Sequence, residues 1–268
     1  MALNLNIGEV RRQLPNRQIS FFESITSTMH EAASLAAGGC PSGTAVVAEE
    51  QTAGQGRHGH SWHSEPGAGL YVSVVLRLPL PPDALPVVTL ALGLATAETI
   101  ARATDLHPDL RWPNDVMLDD RKTAGILVQL VDSVAIAGLG INVNHHAFPP
   151  EIAAEATSLR LATGRPHSRE DLLVALLPTI DSFCRMLVEA GRQSILDQFT
   201  RRSSYASGKR VQVDRPGGLV IGTTAGLDPS GFLKLRADDG SESLILAGGV
   251  RPAVDCPITE PRPSGSGL

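Results

Sequence analysis

The sequence predicts an α+β fold: a mixed β-sheet domain flanked by helices, then a small all-β barrel. Three observations predict it. Helical and strand-like segments are interspersed through residues 19–206. Within them, Val116–Leu118, Arg121–Val131 and Val134–Val143 are β-like runs with no helix between them. From Gly208 the texture changes to short β runs alternating with turn clusters, the signature of a small barrel.

Residues 1–18 are polar and are expected to form a loosely tied, flexible N-terminus. Ile19–Glu23 reads as a strand leading into SITSTMHEAASLAAGG, whose alanine-rich part is a helix stopped by Gly38 and Gly39. Thr44–Glu49 is a second strand. A glycine-rich loop covers Thr52–Gly69, and Leu70–Leu78 is a third strand ended by the prolines that follow. Leu85–Thr104 is apolar almost throughout and reads as a long buried helix. After the three β-like runs come two helical segments, near 168–190 and 192–204. KRVQV, LVIGTTAGL, FLKLRA and SLILA, separated by RPGG, DPSG and DDGS, place the barrel at 207–253. Residues 254–268, rich in Pro, Ser and Gly, read as a disordered tail.

Of 268 residues, 42% are apolar and 19% charged, the balance of a soluble globular chain. The net charge of -5 gives no drive toward nucleic acid or an anionic membrane. Cys40, Cys184 and Cys256 are scattered and odd in number, which suits a reducing compartment and neither a disulfide frame nor a zinc site. No secretory h-region opens the chain, and Leu85–Ile100 is too short and punctuated to span a bilayer. A cytoplasmic protein is expected.

The loop TAGQGRHGHSW, residues 52–62, nearly satisfies two phosphate-binding patterns. Gly54, Gly56 and Gly59 fit GxGxxG, but His60 stands where a P-loop needs lysine. Both patterns also need a helix directly after the loop, and here a turn and a strand follow. What survives is closely spaced glycines, whose N–H groups can approach an anion, and the Arg57 guanidinium. An ordinary surface turn accounts for the same glycines. His58, His60 and His63 have no spacing that would converge them on a metal and read as solvated neighbours of the anion.

RWPNDVMLDDRKTAGILVQ, residues 111–129, carries more. A two-residue turn at Asp119-Asp120 pairs Leu118 with Arg121 and Met117 with Lys122. Asp115 and Lys122 then project from one face, where a carboxylate could hold Mg²⁺ and an ammonium could meet the α-phosphate of ATP. Gly125 would let a ligand lie close against the strand. A hairpin with an ordinary salt bridge explains the same pair.

In order, FFESITSTM, AEEQTAGQGRHGHSW, RWPNDV, DRKTAGILVQ, GLGINVN and the β runs ending in LAGGVR resemble the biotin–protein ligase family, over residues 20 to 252. The resemblance implies a catalytic sheet of the class II aminoacyl-tRNA-synthetase type and an SH3-like C-terminal domain. It implies ATP-dependent formation of biotinyl-AMP, then transfer of biotin to a lysine of a biotin carboxyl carrier protein. By residue, it implies biotin contacts from Ser27, Thr28, Gln51, Gly54, Gly56, Arg57, Lys122 and Gly125. Arg57, Trp62, Asn114, Asp115, Lys122 and Asn142 would serve ATP, with Asp115 on Mg²⁺ and with Lys122 and Arg57 catalytic. Thr28 and Glu31 also fit a capping box, so the hydroxyls at 27 and 28 have a structural reading too. Met29 stands where the family often has Asn, a ring contact, and Gln55, His58 and His60 replace more basic residues and make the loop less cationic. Alternatives are a lipoate or octanoate ligase and a noncatalytic biotin-binding module. The few residues before FFESI are too short for the DNA-binding module some members carry, so no nucleic-acid or membrane partner is expected. The resemblance leaves homodimerisation open.

Overall fold

A computed structural model describes residues 4–215 and 218–253. In chain order its elements are α1 (Ile7–Gln13), β1 (Ile19–Ile25), α2 (Thr28–Ala37), β2 (Ala45–Gln51), β3 (Gly69–Leu76), α3 (Leu85–Thr104), β4 (Asp109–Arg111), β5 (Asp115–Leu118), β6 (Arg121–Val131), β7 (Val134–Asn142), α4 (Leu159–Thr163), α5 (Arg169–Ala190), α6 (Arg192–Arg202), β8 (Ser207–Arg215), β9 (Gly218–Leu227), β10 (Leu233–Arg236), β11 (Glu242–Ile245) and β12 (Gly249–Pro252). The first seven strands form one mixed sheet in the order β1-β2-β3-β7-β6-β5-β4. Only β1 and β2 are parallel in it; every other neighbouring pair is antiparallel.

The side-chain period of two decides what each face of this sheet buries. Ala45 and Val47 of β2, alternate residues Leu70–Leu76 of β3, and Ala135, Ala137, Leu139 and Ile141 of β7 join one core with α3, α5 and α6. The intervening Val46, Val75, Val134 and Ile136 face the other way, against Met29, Ala32 and Ala36 of α2. Each fully buried aliphatic side chain in these layers contributes about 1.5–3 kcal/mol. The stretch Pro82–Thr104 has the length and composition to cross a bilayer, yet 72% of its most apolar window is buried in the protein. Its apolarity matches its position under the sheet.

On the second face α2 covers only one end. At the other end the same alternation brings Gly125 of β6 opposite Gly140 of β7, with Gly138 two residues away. Three glycines on one face leave a shallow floor where larger side chains would have filled the space.

The hairpin between β5 and β6 follows the expected register, Leu118 with Arg121 and Met117 with Lys122. Asp119 (φ 49°) and Asp120 (φ 57°) both take the left-handed conformation that a two-residue hairpin needs. A bulge then makes Thr123 an extra residue, so that Asp115 lies opposite Gly125 and not opposite Ala124.

Residues 4–18 correct the expectation of a loose N-terminus. Asn6 caps α1 by accepting from the Glu9 N–H at 3.2 Å. Val10 is fully buried, and Arg17 forks onto Asp181 of α5 at 2.8 and 3.1 Å. A seven-residue helix is too short to show periodicity, and anchors to residues far along the chain are invisible locally. The short β4 and α4 were missed for the same reason. The tail expected at 254–268 lies outside the described residues.

The last five strands form a separate antiparallel sheet, in the order β11-β10-β9-β8-β12. It leans on the first domain through specific contacts. Trp112 donates its indole N–H to the Gly231 carbonyl at 2.9 Å. Tyr205, fully buried before β8, donates to Asp120 at 2.9 Å and lies under Lys209, whose Nζ is 3.7 Å from the ring centroid.

Candidate active site

The glycine floor opens into a cleft that is continuous with solvent. Its wall includes Thr28, Gln51, Gly56, Arg57, Trp62, Asn114, Lys122 and Gly125, eight of the expected residues.

At one end stand Thr28 and Gln51. The Gln51 side-chain carbonyl accepts from Thr28 N at 2.9 Å and from its hydroxyl at 3.0 Å. The Thr28 hydroxyl also lies 2.8 Å from Ser73 Oγ. This fixes the Gln51 amide, so that its NH₂ and the Thr28 and Ser73 hydroxyls form a set of donors and acceptors at the start of α2. Ser27 behaves differently. It is fully buried and caps α2 by accepting from Met29 N at 3.3 Å. Of the two hydroxyls that could have started the helix, the cap is Ser27 and not Thr28, because Ser27 is the last residue with extended backbone.

The loop at 52–62 closes on itself as a small hairpin. Trp62 N donates to Gly54 O at 2.9 Å, and Gly56 N to His60 O at 2.7 Å. A Cβ at Gly54 would lie 2.9 Å from Trp62 O, so glycine there permits the closure and does not reach the cavity wall. Among the described residues no α-helix opens at this loop; a single 3₁₀ turn, Arg57–Gly59, is followed by extended chain. That agrees with setting aside the two phosphate-loop patterns.

Closure lays the Trp62 indole flat on the floor. A Cβ at Gly140 would come within 2.4 Å of Trp62 Cε2, and one at Gly125 within 2.8 Å of Cζ3. Lys122 Nζ lies 5.4 Å from the indole centroid. Among the described residues the buried Trp62 N–H has no hydrogen-bond partner.

The opposite end is cationic. Arg57 donates to Asn114 Oδ1 at 3.1 Å and reaches the Gly248 carbonyl before β12 at 3.5 Å. Burial lowers its pKa and the Asp115 carboxylate opposes that shift; a guanidinium stays charged regardless. Asn114 is held in turn, its NH₂ donating to Ile126 O at 3.1 Å.

Asp115 sits behind this wall between two cations. Its Oδ1 is 2.6 Å from Lys122 Nζ, and its Oδ2 accepts from Arg111 Nη2 at 2.8 Å and Nε at 3.2 Å. Burial pushes its pKa up, but Lys122 and Arg111 together outweigh that and hold it below the usual aspartate range. Both oxygens face cations at ion-pair distance, although Oδ1 makes no hydrogen bond among the described residues; in this structure Asp115 holds and neutralises Lys122. Asn142 is also not at the wall. It is buried and donates to Thr157 O at 3.1 Å and Lys122 O at 3.4 Å, anchoring the strand that carries Lys122.

The wall also takes in Met29 and Gln55, two of the departures from the family's usual residues, and five residues that were not anticipated: Ile126, Leu127, Gly138, Leu139 and Gly140. The signal for the glycines was present, since Gly138 and Gly140 alternate at the period of a strand. Met29 packs on Gly138, where a Cβ would meet its sulfur at 2.6 Å. Gln55 pairs with His30 at 2.7 Å.

Comparison with known proteins locates this arrangement. Residues 21–145 match the model of the biotin/lipoate A/B protein ligase family, and residues 206–252 match the biotin protein ligase C-terminal domain. The biotin–[acetyl-CoA-carboxylase] ligase of Mycobacterium tuberculosis is 33% identical over 239 residues, 87% of this chain and 88% of that one. The bifunctional ligase/repressor BirA of Bacillus subtilis is 32% identical over 248 residues, 89% of this chain and 75% of that one. Among solved structures, the biotin protein ligase of Aquifex aeolicus in complex with biotin and ATP superposes with a TM-score of 0.77 at 30% identity, covering 87% of this chain and 97% of that chain. The two matched segments fall on the sheet that floors the cavity and on the sheet that Arg57 touches, and the likeness runs through both: the chain belongs to the biotin protein ligase family.

Proposed function

We infer that the chain is an ATP-dependent biotin–protein ligase whose two half-reactions take place in this one cavity. The observation that carries the reading is its polarity. A fixed amide and hydroxyl set at Thr28 and Gln51 suits a ureido ring, while Lys122 and Arg57 stand where a carboxylate and a phosphate would meet.

In the first half-reaction the biotin carboxylate oxygen attacks the α-phosphorus of ATP, and pyrophosphate leaves with the bridging oxygen and its electron pair. The obstacle is bringing two anions together. Lys122 lies between them and Arg57 closes over the phosphate, so that both neutralise charge as it builds up. In the second half-reaction the amine of an acceptor lysine attacks the acyl carbon of the mixed anhydride. AMP departs and the amine loses a proton. The acceptor is the biotin carboxyl carrier domain of a carboxylase. Asp115 and Arg111 act as positioning residues for Lys122, and Asn142 for its strand. Magnesium enters with ATP, as part of that substrate.

Mass spectrometry of the protein incubated with Mg·ATP and either biotin or lipoate tests this. Biotinyl-AMP without lipoyl-AMP is expected. Lipoyl-AMP alone would overturn the assignment of Thr28 and Gln51, and biotin binding without any adenylate would overturn the catalytic reading.

Arg57 carries a separate prediction. Its contacts run from the loop to Asn114 and to β12, so Arg57→Gly removes both the phosphate contact and the latch. A lost charge-assisted hydrogen bond is worth about 1.5–3 kcal/mol, so biotinyl-AMP should dissociate about 10–100 times faster. Bystander proteins mixed with the variant should then acquire biotin, read by avidin blot. Labelling confined to the carrier would show that Arg57 is not the latch.

A further inference from the structure

Beyond the ligase cavity, the protein carries a cluster that the two half-reactions do not use. His63, Glu65 and His145 each offer one ligand atom, and the three atoms lie within 4.8 Å of one another. The sequence grouped His63 with His58 and His60, but the fold separates them and brings His63 to His145 instead. His63 directly follows Trp62, and His145 follows the strand end at Asn142 by three residues. The cluster therefore joins the far end of the loop over the cavity to the exit of β7.

Two further features single it out. His145 is completely buried, and among the described residues its Nδ1 has no hydrogen-bond partner. A buried imidazole nitrogen is ordinarily satisfied, so an orphaned one needs an account. The ring is also held in orientation: Phe148 stacks on it at 5.0 Å with 18° between planes, and Tyr71 Oη lies 3.5 Å from its Nε2. The same tyrosine hydroxyl accepts from Glu65 N at 2.8 Å and donates to Glu65 O at 3.1 Å, fixing the backbone that carries the carboxylate. His63 completes the group with its ring centroid 5.8 Å from that of His145.

We propose that His63, Glu65 and His145 form a zinc site that clips the loop to the end of β7. Two imidazoles and a carboxylate with one open position suit Zn²⁺, whose bonds are about 2.0–2.2 Å. Tetrahedral geometry puts ligand atoms about 3.3 Å apart at those bond lengths, so no pair in the cluster need close by more than about 1.5 Å. Glu65 is exposed and His63 half-buried, so both side chains have room to close on the fixed His145. Binding would tether the residue next to Trp62.

The full-length protein, freed of metal with a chelator, is titrated with ZnCl₂ against a chromophoric chelator, and with Co²⁺ for its absorption spectrum. One zinc per chain is expected, weakened at least about tenfold in His63→Ala and in Glu65→Gln, and unchanged in the His58→Asn/His60→Asn double variant. Cobalt should give four-coordinate d–d bands without a thiolate charge-transfer band. Circular dichroism establishes that each variant is folded; the exposed Glu65 makes the second variant the safer one. The proposal is overturned by no zinc binding below about millimolar, by binding that survives both substitutions, or by a thiolate band that assigns the metal to cysteine. None of these outcomes bears on the ligase reading, which the adenylate assay tests separately.

Discussion

Lys122→Gln is expected to slow adenylate formation by about 10²–10³-fold, the effect of removing one preorganised group that stabilises transition-state charge. Among the described residues the ammonium is one of two cations on the cavity wall, with Arg57. It holds Asp115 at 2.6 Å, its stem passes Gly125, and it approaches the face of Trp62. Glutamine keeps most of the stem and a donor, so the fold should persist, with Asp115 still paired to Arg111 at 2.8 Å. Because the charge matters most as the two anions combine, kcat for the first half-reaction should fall more than the affinity for biotin. Single-turnover formation of biotinyl-AMP, alongside biotin binding by calorimetry, separates the two. A Kd weakened in proportion to the rate would mean that Lys122 acts in ground-state binding alone.

The ordered motifs were legible because each uses a local rule. Asp119-Asp120 announced a tight turn, and that turn fixed the partners of Met117 and Leu118. Leu85–Thr104 was apolar all round because it lies between the sheet and other helices, and its limits match the prediction. What could not be read was anything set by distant parts of the chain. The bulge at Thr123 is invisible in the spacing, and so is the competition of Arg111 for Asp115, which engages the carboxylate expected to hold magnesium. Ser27 and Thr28 are neighbours of similar chemistry, and only the backbone conformation at 27 decided which one caps the helix and which one faces the cavity. Asn142 was expected from the resemblance to lie near the nucleotide; that its amide also donates to Thr157 O, across a chain segment fifteen residues on, could not be read from the motif.

The same reasoning separates the two histidine sets. His58 and His60 lie within the loop's own hairpin, where His60 contributes its backbone to the closure. His63 lies just past the hairpin, at the point where the chain returns to the sheet, so its neighbours are set by β3 and β7. Sequence proximity grouped the three; the sheet register split them.

Glu49→Ala should be the most destabilising single change outside the cavity, by about 3–5 kcal/mol, the range for removing one partner of a buried ion pair. The Glu49 and Arg169 side chains are 4% and 5% exposed and meet at 2.6 Å. The carboxylate does more than pair. Its Oε1 also accepts from Gly67 N at 2.7 Å and its Oε2 from Leu5 N at 2.9 Å. One side chain thus ties the N-terminal segment, the entry to β3 and the start of α5 to β2. Alanine would remove the carboxylate that meets the buried guanidinium at 2.6 Å and the acceptors of two backbone N–H groups. At about 2–4 °C per kcal/mol for a chain of this size, the melting temperature should drop by about 6–20 °C. Hydrogen exchange should quicken first at Leu5 and through α1, which this carboxylate holds to the sheet. Glu49→Gln should recover only part of the loss, since its NH₂ would face an N–H or the guanidinium. A loss below about 1 kcal/mol, the range of an exposed pair, would show that Arg169 is satisfied by its other contacts and that the N-terminal segment is held by the burial of Val10 and the Arg17–Asp181 pair.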